Sequence, residues 1–533
     1  MSATALPARV LGLGQGATLV RIGAVLAGSA AYALALPPFD RAGLAWVTLV
    51  PLLIVLRTSS AQAGFFYGLL YGCGFGWATT WWSVQAVMRY FHLSLPVAVL
   101  GMVVFYVAIF APAFGLFGAG TACLSRKLRA PLAAIAIPCL WVVHELIRDR
   151  LVGQPWCLLG YSQHGHPGLI QIAAVTGVYG VSFLLVAGNF ALATAVLQLR
   201  AGHRLRASIA LFSVLSLVVV IWCAGVIRMR PSLRAWGKTR SIAVVQTGVA
   251  PAYEWTRAYA EKQLRAHVAA SETIATKPSL IIWPENSITQ YLEADPLLGA
   301  QLGELAERHG ADLLFGAPRF EDGRTYNSVR LITADGHYGG HYDKQKLVLF
   351  AEAGLLADPT PSGPNPSPRE FSAGRGPGVL QRVMPIGVSI CHEITYPDLI
   401  RRSVRDGAEL LVNVSNDGWL DPGHGVATWQ HLAMAAFRAV ETRRYVVRAA
   451  TTGVSAVIDP FGRVVAQMAP GTAGVLQTQV TARRVWTPYV RLGDVFALGC
   501  LLFVLPMLLP LERWFPRGSR IGIFTRPPLP HGP

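Results

Sequence analysis

Charge is the scarcest commodity in this 533-residue sequence. Only 14% of residues are charged and 53% are hydrophobic, whereas an ordinary soluble domain carries roughly a quarter charged residues. The shortage excludes a wholly soluble chain, and the length excludes one soluble core. Cysteine is also sparse: Cys73, Cys123, Cys139, Cys157, Cys223, Cys391 and Cys500 form no CxxC pair, so zinc-binding and dithiol redox chemistry lack their usual spacing. No His/Cys/Asp cluster has metal-ligand spacing, and no cofactor is expected. No basic helix interleaved with aromatics is present, so no nucleic-acid partner is expected. Repeats at solenoid or propeller periods are absent. The first apolar stretch, Ile22 to Leu36, lacks a clear A-x-A cleavage site and is followed by further apolar runs, so it reads as a retained helix.

What the chain has instead is long apolar runs edged with arginine. The formal net charge is +17, and its carriers gather beside those runs, as in Arg126-Lys127-Leu128-Arg129 and Arg200 to Arg206. That placement fits membrane orientation and anionic headgroups. Runs of bilayer-crossing length fall near residues 16–36, 41–57, 61–86, 96–124, 130–147, 173–199, 206–227 and 491–511. The expected organisation is a membrane domain over 1–235 with about seven spans, a polar domain over 239–482, one further span over 490–512, and a basic tail over 513–533. His144 and Glu145 stand near the end of the fifth run. They are either functional groups at membrane depth or side chains reaching the interface, and the second reading is favoured.

Sidedness follows from the short loops. One set carries Arg57, Arg126, Lys127, Arg129, Arg200, Arg204 and Arg206; the other carries only Arg41, Arg89, Arg148 and Arg150. The richer set marks the cytoplasmic side. The N-terminus then lies in the cytoplasm and the polar domain faces away from it, with Arg228, Arg230 and Arg234 against the trend. The tail arginines Arg513, Arg517, Arg520 and Arg526 agree with it.

The polar domain reads as α/β. Strand-like runs occur at Ser241–Gln246, Ser279–Trp283, Asp312–Gly316, Ser328–Thr333, Gly387–Ile390, Glu409–Val414 and Ser455–Ile458, with helical patterns at Thr256–Thr276, Pro296–His309 and Ala427–Arg443. Such alternation predicts a sheet with helices on its faces. The Pro/Gly/Ser-rich stretch from Gly354 to Pro377 is either a lid or a linker.

Three segments end a strand with a reactive side chain. They are Trp283-Pro284-Glu285, Tyr342-Asp343-Lys344 and Ile390-Cys391-His392-Glu393. Taken singly, Glu285 could cap a helix, Lys344 could be a solvated lysine and Cys391 a small core residue. Together they supply a nucleophile, a base and a cation. A thiol with an ordinary pKa near 8.5 needs a proton acceptor before it attacks. A carboxylate can serve as that acceptor. An ammonium favours the thiolate and then faces the oxyanion.

The order Trp-Pro-Glu, Tyr-x-Lys, Ile-Cys-x-Glu resembles the nitrilase, or carbon–nitrogen hydrolase, superfamily. Flanking spans narrow the resemblance to the bacterial apolipoprotein N-acyltransferases. Leu36-Pro37-Pro38-Phe39, Pro155-Trp156, Gly160-Tyr161-Ser162-Gln163, Asn416-Asp417-Gly418-Trp419, Gln430-His431, Arg438-Ala439 and Glu441-Thr442-Arg443 agree, so the resemblance covers essentially the whole chain. It implies a multi-span α-helical membrane protein with an inserted αββα nitrilase-like domain. It implies Cys391 as nucleophile, Glu285 as general base and Lys344 as oxyanion partner. Glu352 and Glu393 match supporting acids, and Trp255 matches a tryptophan near the substrate entrance. The chain departs from the family at His392, where tyrosine is common, at Ala351, where glycine is usual, and at Thr451-Thr452-Gly453, in place of a more Asn-rich stretch. These departures bear on substrate preference more than on reaction class.

The implied reaction is ping-pong acyl transfer in the bacterial inner membrane, with the catalytic domain on the periplasmic face. A phospholipid would acylate Cys391, with the His392 N–H as a second oxyanion donor. The α-amine of a diacylglyceryl apolipoprotein would then take the acyl group. A monomer is the expected state. The rival reading is a membrane-tethered amidase or hydrolase with water as acceptor.

Overall fold

The computed structural model describes residues 15–230, 237–252, 255–348, 352, 371–376, 378–382, 384–421 and 425–509. The chain divides into two compact units. One gathers residues up to Trp81, Pro96–Arg228 and the segment from Asp494; the other gathers Trp82–Leu95 and Met229–Gly493.

The first unit is helical. Among the described residues, four helices are long and apolar enough to cross a bilayer: Thr18–Ala35, Ala130–Arg150, Val178–Arg200 and Arg204–Arg228. A fifth span results if Ser83–Phe91 and Leu95–Phe110 act as one broken span. The sequence predicts eight spans; of the remainder, Ala61–Thr80 is a 20-residue helix that is long enough but less apolar, and the others are shorter or interrupted helices. The second is Val50–Leu56 after a 3-10 turn at Ala42–Trp46. The eighth is Val495–Leu508, whose 14 residues rise roughly 21 Å. The third run, expected over 61–86, is a helix only to Thr80, and the chain from Trp82 groups with the other unit. There Tyr90 packs its ring 6.2 Å from that of Trp419.

Small residues bring the helices close. Gly64 and Gly68 on Ala61–Thr80 face Gly115 and Gly118 on Pro112–Lys127. A Cβ on Gly68 would sit 2.2 Å from the Phe114 carbonyl, and one on Gly118 2.1 Å from that of Gly64. Glycine is required because the two backbones touch, the usual basis of helix association in lipid.

The interface reading of His144 and Glu145 does not hold. Both are buried, as are Arg148 and Asp149. His144 lies among the rings of Phe114, Phe117 and Trp141. Glu145 Oε1 accepts from Trp141 Nε1 at 2.9 Å and from the Leu159 N–H at 2.8 Å. Arg148 donates to the Trp156 carbonyl at 2.7 Å and faces the rings of Phe75, Phe110 and Phe114. Asp149 accepts from Tyr179 Oη at 2.7 Å. One helical face thus holds the backbone at Trp156 and Leu159, so these groups turn inward rather than outward.

The second unit contains two six-stranded sheets. The first runs β12-β1-β2-β3-β4-β5 and the second β11-β10-β9-β8-β7-β6. Their strands are β1 (Thr239–Gln246), β2 (Leu280–Ile282), β3 (Asp312–Glu321), β4 (Arg324–Ile332), β5 (Tyr338–Asp343), β6 (Val379–Leu380), β7 (Ile386–Ile390), β8 (Leu410–Ser415), β9 (Val446–Ala450), β10 (Ala456–Ile458), β11 (Val464–Gln467) and β12 (Gly474–Thr481). Each sheet is built on a parallel trio, β1-β2-β3 and β7-β8-β9, flanked by antiparallel strands.

Side-chain alternation assigns the two faces. Ile242, Val244, Leu280 and Ile282 pack against Val388, Ile390, Val412 and Val414 between the sheets. Their neighbours Ala243, Val245, Ile281 and Trp283 point outward onto Leu298, Leu302 and Leu305 of helix Pro296–His309. Leu411 and Val446 point outward onto Leu432 and Ala435 of helix Val426–Thr442. Strands covered on both faces carry unbroken apolar runs, which is why they stand out in the sequence. Helix starts are equally local: Asp295 Oδ1 accepts from the Leu298 N–H at 3.0 Å ahead of Pro296, and Gly310 at φ +58° closes the helix. The order helix, sheet, sheet, helix is the αββα sandwich the resemblance implies.

Candidate active site

The carboxyl ends of parallel strands meet where loops leave the sheets, the usual place for a site in such folds. Glu285 follows β2 by three residues, Lys344 directly follows β5, Cys391 directly follows β7, and Asn416 directly follows β8. Pro284 stops ladder pairing after Trp283. Gly316 on β3 lets the next turn pass: a Cβ there would lie 2.5 Å from the Asn286 nitrogen and 2.7 Å from the Glu285 Cα.

Glu285, Lys344 and Cys391 are all buried. Lys344 Nζ donates to Glu285 Oε1 at 3.3 Å and to Glu352 Oε1 at 2.8 Å. Asn327 Nδ2 bridges the same two carboxylates at 2.8 and 2.9 Å. The second Glu285 oxygen accepts the Asn416 N–H at 2.9 Å, and the second Glu352 oxygen accepts the Val348 N–H at 2.9 Å. Burial works against the Lys344 ammonium, yet Glu285 and Glu352 outweigh it and hold its proton more firmly than in free lysine.

Cys391 adopts φ +53° at the start of a 3-10 turn, Cys391–Thr395. Positive φ at a non-glycine residue is uncommon and clusters at functional sites. Burial raises the thiol pKa, Glu285 raises it further, and Lys344 pulls it back. The resting group is therefore the thiol, with a carboxylate and an ammonium in electrostatic reach.

Glu393 ties two of the three segments together. Its Oε1 accepts the N–H groups of Gln345 at 2.7 Å and Lys346 at 2.9 Å; its Oε2 accepts the Ile390 N–H at 2.8 Å; Tyr342 Oη donates to both oxygens. Burial pushes its pKa up to about 7. His392 packs its ring against Tyr396 at 5.6 Å. Burial and the Lys344 charge keep it neutral, with its pKa well below the ordinary histidine value. The ring of Trp255 lies 6.4 Å from that of Phe371. The Phe371 N–H in turn donates to the Glu352 carbonyl at 3.1 Å. Ala351 and most of the 354–377 stretch lie outside the described residues.

Several members of the site carry no signal of their own in the sequence. Asn327, in the middle of β4, reads as one polar residue on an alternating strand. Asn413 and Arg448 read likewise on β8 and β9. Asp417 and His431 stand in motifs that match the family, but nothing in their spacing says that they meet.

The fold and this grouping define a carbon–nitrogen hydrolase domain joined to a helical unit. Residues 241–486 match the Carbon-nitrogen hydrolase family, and residues 28–191 match the Apolipoprotein N-acyltransferase N-terminal domain. The apolipoprotein N-acyltransferase of Geobacter metallireducens is 32% identical over 491 residues, covering 88% of this chain and 91% of that protein. That of Pseudomonas putida is 32% identical over 487 residues, covering 87% and 92%. An amidase of the nitrilase superfamily from Nesterenkonia AN1 aligns with 49% of this chain and 96% of its own, at 18% identity and a TM-score of 0.36. The chain belongs to the apolipoprotein N-acyltransferase family, and its function is apolipoprotein N-acylation.

Proposed function

We propose that the reaction runs in two half-steps through a thioester on Cys391, with a membrane phospholipid as donor and a diacylglyceryl apolipoprotein as acceptor. The observation that carries this reading is the buried Glu285–Lys344–Glu352 cluster, with Cys391 in electrostatic reach of all three groups. Glu285 takes the thiol proton as sulfur attacks the ester carbonyl. Lys344 and the His392 N–H face the oxyanion. The ester C–O bond breaks, and the lysophospholipid leaves with the proton from Glu285. The free α-amine of the acceptor then attacks the thioester, gives its proton to Glu285, and leaves as an amide while the thiol re-forms. Glu352 and Asn327 hold Lys344 and Glu285 in register. Trp255, beside Phe371, marks the approach side of the site.

Both substrates are lipids of the bilayer, which gives the helical unit its purpose. The arginine bias of the loops supports a catalytic domain on the periplasmic face of the inner membrane, and the residues assigned above all come from one copy, which supports a monomer. Cys391→Ala in cells depleted of their own enzyme tests the reading. Loss of triacylated lipoprotein is expected, and its persistence would refute the nucleophile. Release of free fatty acid by the parent in place of N-acylation would favour the hydrolase.

A further inference from the structure

Behind the proposed nucleophile lies a second polar cluster that the chemistry above does not use. Asn413, Asp417, His431 and Arg448 are all buried. Arg448 Nη2 grips both oxygens of Asp417 at 2.6 and 2.5 Å, and its Nη1 donates to Asn413 Oδ1. Asn413 Nδ2 donates to the carbonyl of Cys391 at 3.0 Å. Ser415 Oγ donates to Asp417 Oδ1 at 2.7 Å, and His431 Nδ1 lies 3.0 Å from the same oxygen. Asn416, between Ser415 and Asp417, gives its N–H to Glu285. A single chain of contacts therefore runs from one carboxylate to both partners of the proton transfer.

We propose that Asp417 is a positioning residue for acyl transfer: through Arg448 and Asn413 it fixes the backbone of Cys391, and through the Ser415–Asp417 turn it fixes the N–H that aims Glu285. This rests on the reading that Cys391 and Glu285 are nucleophile and base. The cluster is suited to the task because Arg448 holds Asp417 ionised, far below the usual carboxylate range even though burial opposes it. The guanidinium is held at three points, both oxygens of Asp417 and the Asn413 amide oxygen, and these charge-assisted bonds fix its place. The cluster reaches the site through the Cys391 carbonyl and the Asn416 N–H, so its effect falls on the chemical step rather than on lipid binding.

Full-length Asp417→Asn and Asn413→Ser, purified in detergent, test this with a synthetic phospholipid bearing a fluorescent acyl chain. The readouts are the single-turnover rate of acyl-adduct formation, the KM for the phospholipid, and the melting temperature. Acylation should slow about a hundredfold, the scale of an ångström-sized misplacement, with KM within about threefold of the parent. Asn413→Ser keeps the Asp417–Arg448 pair, so it decides the matter if Asp417→Asn does not fold. A folded variant of either kind that acylates at the parent rate, or whose loss lies in KM alone, overturns the proposal. Failure of both to fold overturns it in favour of a purely structural network. Cys391→Ala separates the two layers: if it still transfers acyl groups, the nucleophile reading fails, whereas an inactive Cys391→Ala beside a fully active Asp417→Asn sinks only the positioning role.

Discussion

Glu393→Gln makes the sharpest test of how the site is held. The carboxylate takes three backbone N–H groups and one phenol: Gln345 and Lys346 on the lysine loop, Ile390 before the nucleophile, and Tyr342. A glutamine side chain offers one oxygen. Facing it toward Gln345 and Lys346 keeps two donors satisfied and puts an NH2 group against the Ile390 N–H at 2.8 Å. One buried N–H then has no acceptor, which costs about 2 kcal/mol. The pH dependence adds a sign. The folded state keeps the Glu393 proton up to about pH 7, while the unfolded state loses it near the ordinary value of 4.5. The folded protein therefore binds more protons across that window, and this group's contribution to stability falls as pH rises through it, by on the order of 3 kcal/mol. The variant lacks this titration. Equilibrium unfolding in detergent should show it less stable than the parent at pH 5, with the gap closing toward pH 8. Acyl-adduct formation at pH 8 should fall about a hundredfold, because the strand end carrying Cys391 shifts. A gap that widens with pH, or an undiminished rate, would refute the reasoning.

Other expectations follow from the same geometry. Lys344→Met leaves Glu285 and Glu352 facing each other without their cation; it should destabilise the protein by about 3–5 kcal/mol and abolish adduct formation, as read by chemical denaturation and single-turnover labelling. Gly316→Ala drives a methyl group into the turn that carries Glu285, so acylation should slow at least about tenfold while circular dichroism stays unchanged. Gly118→Leu should separate helices Ala61–Thr80 and Pro112–Lys127, where a Cβ already meets the Gly64 carbonyl; the expected result is a lowered melting temperature in detergent.

The Glu285 and Cys391 strand ends were legible because each joins an apolar run to a reactive residue, and runs buried on both faces announce themselves; Lys344 was legible from its Tyr-x-Lys motif instead. Strands β5, β9 and β12 were harder. Tyr338–Asp343 carries two glycines and a histidine, Arg448 interrupts β9, and Gly474–Thr481 is mostly half-exposed and carries the polar run Gln477-Thr478-Gln479. The supporting residues were illegible for a different reason. Asn327, Asn413 and Arg448 are polar residues inside strands, and only the pairing of β4 with β3 and of β8 with its neighbours brings them to the site. In the helical unit, composition favoured an interfacial place for His144 and Glu145. The aromatic cage and the backbone N–H of Leu159 instead make burial affordable, and no periodicity in the sequence reports a partner that arrives from another helix.

The central claim is that Cys391 carries the acyl group between the two lipids. Mass spectrometry of the full-length protein incubated with phospholipid alone tests it most directly. The expected result is one acyl chain on the Cys391 peptide, labile to hydroxylamine and discharged as an amide when a diacylglyceryl-cysteine peptide with a free amine is added. An adduct on another residue, or triacylated peptide formed by Cys391→Ala, would contradict it.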